Sequence, residues 1–134
     1  MTTINIGGND YKIYYAIEPT IKSKLLKRLA NVESIENWGV DNFDKLFEII
    51  TEMLLIGLQK EHKDAFGYNY ATEEGKEEAM SKVYSLLDDF SADENADFFD
   101  LFHKLQDELL ENGFFAKLFR QEMETAEQNQ TSEK

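Results

Sequence analysis

Residues 88–100 read DDFSADENADFFD, and their oxygen-bearing side chains are spaced like those of a loop that wraps a calcium ion. Counted from Asp89 as the first position, Ser91, Asp93, Asn95, Asp97 and Asp100 fall where a helix–loop–helix calcium site places its ligands. Three positions depart from that chemistry. Glu94 stands where the loop needs a glycine for its sharp turn, Ala96 where a larger aliphatic residue packs, and Asp100 is shorter than the glutamate that closes such a shell. The plainer reading is an acid-rich linker in which Ser91 or Asp93 caps the next helix.

Asp100, His103 and Asp107 would share one helix face and could bind a metal, but a solvated acidic face carrying one histidine accounts for them as well. The other histidine, His62, is remote in sequence. The chain has no cysteine, which removes disulfides and thiolate zinc sites. Ile6-Gly7-Gly8-Asn9-Asp10 leads into a strand rather than a helix, so it is not a phosphate loop. No serine, histidine and aspartate spacing suggests a nucleophile. Neither catalysis nor a bound cofactor is expected.

The remaining chemistry is apolar. Of ten phenylalanines, Phe98, Phe99, Phe102, Phe114, Phe115 and Phe119 crowd the last third of the chain. Adjacent helical residues point about 100° apart, so one face cannot bury both members of Phe98-Phe99 or of Phe114-Phe115. They either fill a core between helices or leave a patch for a partner. Beside an acidic surface, such a patch suits an apolar, basic partner helix.

The elements that must position these residues are helical, apart from the start. Thr3 to Ile17 predicts a β-hairpin, with Gly7-Gly8-Asn9-Asp10 turning between two β-prone runs. A lone hairpin is marginal in water, so it must lie on the helices. Tyr11, Ile13, Tyr15 and Ile17 would supply one apolar face and Ile4 and Ile6 the matching one, and an open strand edge would remain for another chain, a second copy included. From Pro19, the apolar residues Ile21, Leu25, Leu26, Leu29 and Val32 predict one helix whose polar side carries Lys22, Lys24, Lys27 and Arg28. Given the acidity of the chain, that basic side reads as a solvated face rather than a nucleic-acid patch.

Phe43 to Lys60 is apolar almost all round and predicts a central, buried helix. Thr72 is expected to cap a helix led by Glu73 and Glu74, with Met80, Val83, Tyr84, Leu87 and Phe90 as its buried stripe. Phe98, Leu101, Phe102, Leu105 and Leu109 predict a further helix ending near Asn112-Gly113, followed by a short helical segment. The expected fold is mostly α within the α+β class: a hairpin on a bundle of four to five helices, as one domain over residues 1–120. Residues 121–134 form a polar tail expected to be disordered.

The 134 residues carry a net charge of −13, and residues 61–112 hold four basic against fifteen acidic side chains. Such a field repels nucleic-acid backbones and anionic lipid, so neither is an expected partner. The start lacks a secretory signal and no apolar run is long enough to span a bilayer, which predicts an intracellular protein.

In order and character these stretches resemble the tail assembly chaperones of long-tailed bacteriophages of Gram-positive bacteria, in the short form of the product. The resemblance rests on INIGGNDYKIYYAI, with Ile4, Ile6, Gly8, Tyr11 and Ile13, then on LLKRL. It rests also on FDKLFEIITEMLLIGLQKEH, with its LLIGL, and on TEEGKEEAMSKVYSLLDDF. IENWGVDN, around Trp38, matches no part of that pattern. The resemblance implies a non-catalytic protein of the host cytoplasm, absent from the mature virion. Its partners would be the tape measure protein, which it keeps soluble, and the tail tube protein, reached through a frameshifted longer product joined after Arg120. The partner-binding residues implied by apolar character are the six phenylalanines above with Ile4 and Ile6. Two other readings compete: a regulator built on the calcium-like loop, and a host-directed phage protein that mimics DNA through its acids.

Overall fold

Two glycines reverse the chain before any helix begins. In the computed structural model, which describes residues 1–30, 39–115 and 117–118, strand β1 (Thr2–Ile6) pairs antiparallel with β2 (Asn9–Ile13). The register sets Ile4 against Tyr11 and Ile6 against Asn9. Gly7 and Gly8 both have positive φ, 59° and 85°, the backbone a two-residue hairpin turn needs. Alternation then aims Ile4, Ile6 and Ile13 at the core, where each is buried. The hairpin is part of the helical body, as expected.

After the hairpin come α1 (Ile17–Lys22) and α2 (Leu25–Ala30). The single helix predicted from Pro19 is therefore two. Lys24 adopts a left-handed φ of 61°, which ends α1 and restarts the helix in a new direction. The break has a consequence for the apolar series: Leu25 is buried, but Ile21 is 51% exposed and Ile17 is 61% exposed. Val32 and Trp38 lie outside the described residues.

A single 3-10 turn (Val40–Asn42) leads into α3 (Phe43–Gly57), whose Ile50, Met53, Leu54 and Leu55 have no exposure at all. This is the central element that its all-round apolarity predicts. Its glycine fixes how the hairpin sits. A Cβ on Gly57 would lie 2.6 Å from Cγ2 of Ile13 and 3.4 Å from the Tyr15 ring, while the Tyr14 amide donates to the Gly57 carbonyl at 3.0 Å. The end of the hairpin thus rests directly on helix backbone. Tyr15 is fully buried and donates its hydroxyl to the Met53 carbonyl at 2.9 Å.

The short α4 (Lys63–Phe66) follows, and Gln59, buried, donates to the carbonyls of Leu55 and Phe66 to hold it. Next, α5 (Lys76–Ser91) begins later than expected. Gly75, with φ 80°, precedes it, and the Thr72 hydroxyl instead accepts from the Glu74 amide inside a turn closed by Asn69. The buried stripe of α5 is Ala79, Val83, Leu86 and Leu87. Relative to the expected stripe this is a rotation: Met80 and Phe90 are only half-buried, and Tyr84 is 42% exposed.

Helix α6 (Phe98–Asp107) is capped by Asp97, whose carboxylate accepts from the Asp100 amide at 3.0 Å. Neither Ser91 nor Asp93 is that cap. Ser91 donates back to Asp88, and Asp93 accepts from Asn95 in a local turn. Residues Glu108–Asn112 then widen into a π-turn. The widening places Glu108, 1% exposed, against the hairpin: Thr2 and Asn112 donate to its Oε2 at 3.0 and 2.9 Å, and the Met1 ammonium lies 2.8 Å from Oε1. Among the described residues, no helix is long and apolar enough to cross a membrane. The polar tail predicted for residues 121–134 lies outside the described residues.

Candidate functional site

The rotation of α5 leaves apolar groups uncovered beside acids. Between the outer faces of α3 and α5 runs an open groove of about 910 Å³. Met80 and Tyr84, one helical turn apart on α5, contribute its apolar surface, with Ser81 between them. Glu48 and Glu52 face it from α3, Glu73 from the turn before α5, and Glu77 and Glu78 from the first turn of α5. Of its lining residues only Lys76 is basic.

One wall of the groove is already neutralised. Arg28, from α2, pairs with Glu52 and meets Glu73 at 3.5 Å; Lys76 lies 3.6 Å from Glu52 and 3.4 Å from Glu73. Its hydrogen bond to Glu52 holds the Arg28 guanidinium above its ordinary pKa, with the charges of Glu52 and Glu73 adding to the effect. Tyr68, packed nearby, is pushed up to about 12, chiefly by burial. The other wall is different. Glu48, Glu77 and Glu78 have no ion pair among the described residues, so their charge faces solvent. Such a surface, apolar at the base and anionic at the rim, suits a cationic side chain with a long apolar stem or a helix with a basic flank.

The residues singled out in sequence are scattered by the fold. Ile4, Ile6 and Phe102 are 6%, 2% and 4% exposed, so they belong to the core and offer no surface to a partner. For the isoleucines the reason is the pleat, which turns both toward α3 and α5; for Phe102 it is its place on the inner face of α6. Phe98 is half-buried, edge-on to Phe47 at 4.8 Å and to Phe90 at 5.1 Å, and Phe99 is half-buried against the same core. Phe114 and Phe115 are half-buried on the far side of Gly113. Phe119 lies outside the described residues. The late phenylalanines therefore mostly close the core rather than form one patch.

No known protein family, curated protein or solved structure matches this chain. The site has to be read from its own geometry. In the calcium-like stretch, Asp89 and Ser91 are still inside α5, and Asp93 and Asp97 already accept from backbone amides. Those oxygens do not converge, and among the described residues no group of three or more histidines and acids is placed to hold a metal. Asp100 pairs with Lys104 at 3.2 Å along α6. The groove residues were missed because Met80 and Tyr84 stand at positions that fit an apolar helical period. The available signal was Ala79, whose spacing to Val83 and Leu87 marks an alternative stripe one residue away.

Proposed function

We propose that this protein is a non-catalytic tail assembly chaperone of a long-tailed bacteriophage, which binds the apolar helices of the tape measure protein and keeps them in solution. The observation that carries this reading is the groove between α3 and α5, with Met80 and Tyr84 as its apolar lining beside Glu48, Glu77 and Glu78, which have no ion pair among the described residues. A long helical chain with exposed apolar stripes aggregates unless those stripes are covered. Covering them takes an apolar contact on a body charged enough to stay dispersed, and a charge of −13 provides the second requirement. The sequence resemblance supplies the biological setting: host cytoplasm, a role that ends before the virion matures, and a tail tube partner reached through a frameshifted extension.

The test is co-expression with a tape measure protein encoded beside it. The soluble fraction of the tape measure protein should rise with the wild-type chain and fall back with Tyr84→Glu, a change at an exposed position of the groove whose thermal unfolding should match the wild type. If the tape measure protein is equally insoluble with and without the chain, the proposal fails. Phe115→Asp asks whether the half-buried phenylalanines beyond Gly113 add to the contact: weaker capture by a folded variant would extend the site to them.

A further inference from the structure

One ring closes the outer edge of the hairpin. Alternate residues of an antiparallel pair turn their backbone groups toward the partner strand and away from it. Counted from Ile6 and Asn9, which flank the two-residue turn, Tyr11 and Ile13 face β1, whereas Lys12 faces outward. Its amide is nevertheless satisfied: it donates to Nε2 of His62 at 2.9 Å. Further along the same side, the Tyr14 amide donates to the Gly57 carbonyl at 3.0 Å. Two acceptors thus cover the free side of β2 and its continuation, and only one of them can change its charge.

The ring is aimed by its own backbone. The His62 amide donates to the Leu58 carbonyl at 2.9 Å, and the His62 carbonyl accepts from the Ala65 and Phe66 amides as α4 begins. Its centroid lies 5.5 Å from that of the Tyr11 ring, and Tyr11 stands edge-on to Phe66 at 6.2 Å. An imidazole accepts at Nε2 only when it is neutral with its proton on Nδ1; once protonated it has a donor at both nitrogens. A protonated ring therefore sets N–H against N–H and leaves the Lys12 amide without an acceptor. Nor does a counter-charge hold such a ring in place. The acids on the surrounding segments are Asp10 from β2, Glu61 before the ring and Asp64 from α4, all exposed, and none forms an ion pair with His62 among the described residues. The bases there are Lys12, Lys60, Lys63 and, from α5, Lys82, which donates to the Ala65 carbonyl at 3.0 Å. Lys60 is engaged over the Tyr14 ring, 4.3 Å from its centroid.

The geometry points to His62 as a proton-operated latch: the neutral ring holds the outer edge of β2 against the junction of α3 and α4, and protonation releases it. Histidine ordinarily changes charge between about pH 5 and 8. The latch is closed at the upper end of that range and opens as pH falls, because the proton goes to the atom that accepts the Lys12 bond. What opens is a strand edge, the kind of backbone surface that pairs with other chains. The latch shares no residue with the α3–α5 groove and does not rest on the proposed function.

Amide hydrogen exchange followed by NMR, corrected for the intrinsic pH dependence of exchange, reads the latch directly. In the full chain, protection of the Lys12 amide should fall about tenfold between about pH 8 and about pH 5, in step with titration of the His62 ring nitrogens. The Tyr14 amide, bonded to a carbonyl that takes no proton in this range, should keep its protection. The pH response should vanish in His62→Gln, which cannot be protonated, and in His62→Ala, where Lys12 should be unprotected throughout. Lys12 protection that does not follow the ring, a Tyr14 amide lost along with it, or a His62→Gln protein as pH-sensitive as the wild type would each overturn the latch.

Discussion

Helix α3 presents two faces that were treated in opposite ways. Toward the hairpin it is sealed: Gly57 admits the Ile13 methyl and the Tyr15 ring against helix backbone, and the Tyr15 hydroxyl and Tyr14 amide are both bonded to α3 carbonyls. Toward α5 it is sealed only along one line, and beyond that line Glu48 and Glu52 face a groove that no described residue fills. The contrast shows what close packing requires. The sealed side joins stiff, branched and aromatic groups to a residue with no side chain, and it leaves no freedom of position. The open side joins flexible Met and Glu side chains and an amphipathic Tyr, groups that tolerate water and can adapt to a visitor.

The contrast breaks most readily at Gly57. Gly57→Val puts branched carbon into the space of the Ile13 methyl and should cost about 3 kcal/mol or more, read as a lower denaturation midpoint or loss of the folded state. Glu108 is the polar lock of the same side. Glu108→Ala removes an acceptor buried at 1% exposure and leaves Thr2 and Asn112 without their partner, at about 2 kcal/mol. A matching loss from Glu52→Ala on the open side would erase the distinction; this half-buried, solvent-edged ion-pair network should yield about 1 kcal/mol.

Alkali sharpens the comparison further. Tyr15 and Tyr68 both have their pKa raised by burial, Tyr68 from 10.0 to about 12. A group with a higher pKa when folded favours the folded state fully below its unfolded value and loses that contribution as pH rises through its folded value. Stability should therefore fall between about pH 10 and 12. The fall should be shallower in Tyr68→Phe, as measured by thermal unfolding across that range. At the small end, Tyr84→Ser should change stability by about 0.5 kcal/mol or less, since Tyr84 is exposed, and the half-buried Met80→Ser by about 1 kcal/mol. A large loss at either would mean the groove is structural after all.

How much of this was legible beforehand depends on the kind of residue. The hairpin could be read because two adjacent glycines between β-prone runs admit few other backbones, and α3 because its apolar residues leave no face for water. The split of α1 from α2 could not, because Lys24 gives no local signal for a left-handed φ. Nor could the cap of α6: Ser91, Asp93 and Asp97 all have suitable oxygens, and the choice fell to Asp97 once α5 ran on through Ser91. The partner residues fared least well. Ile4, Ile6 and Phe102 went into the core, while Met80 and Tyr84, expected inside, line the groove.

The sequence alone settled composition, charge and period: a mostly helical acidic chain with a hairpin at its start, because propensity, turn chemistry and hydrophobic spacing are local quantities. Which apolar groups would end up in water was settled only by packing. A helix carrying two candidate stripes buries the one that its neighbours can reach, and for α5 those neighbours, α3 and the hairpin, come from distant parts of the chain. The rotation of α5 left Tyr84 exposed and Met80 half-buried at the groove, and that rotation is a property of the assembled helices, not of any one of them.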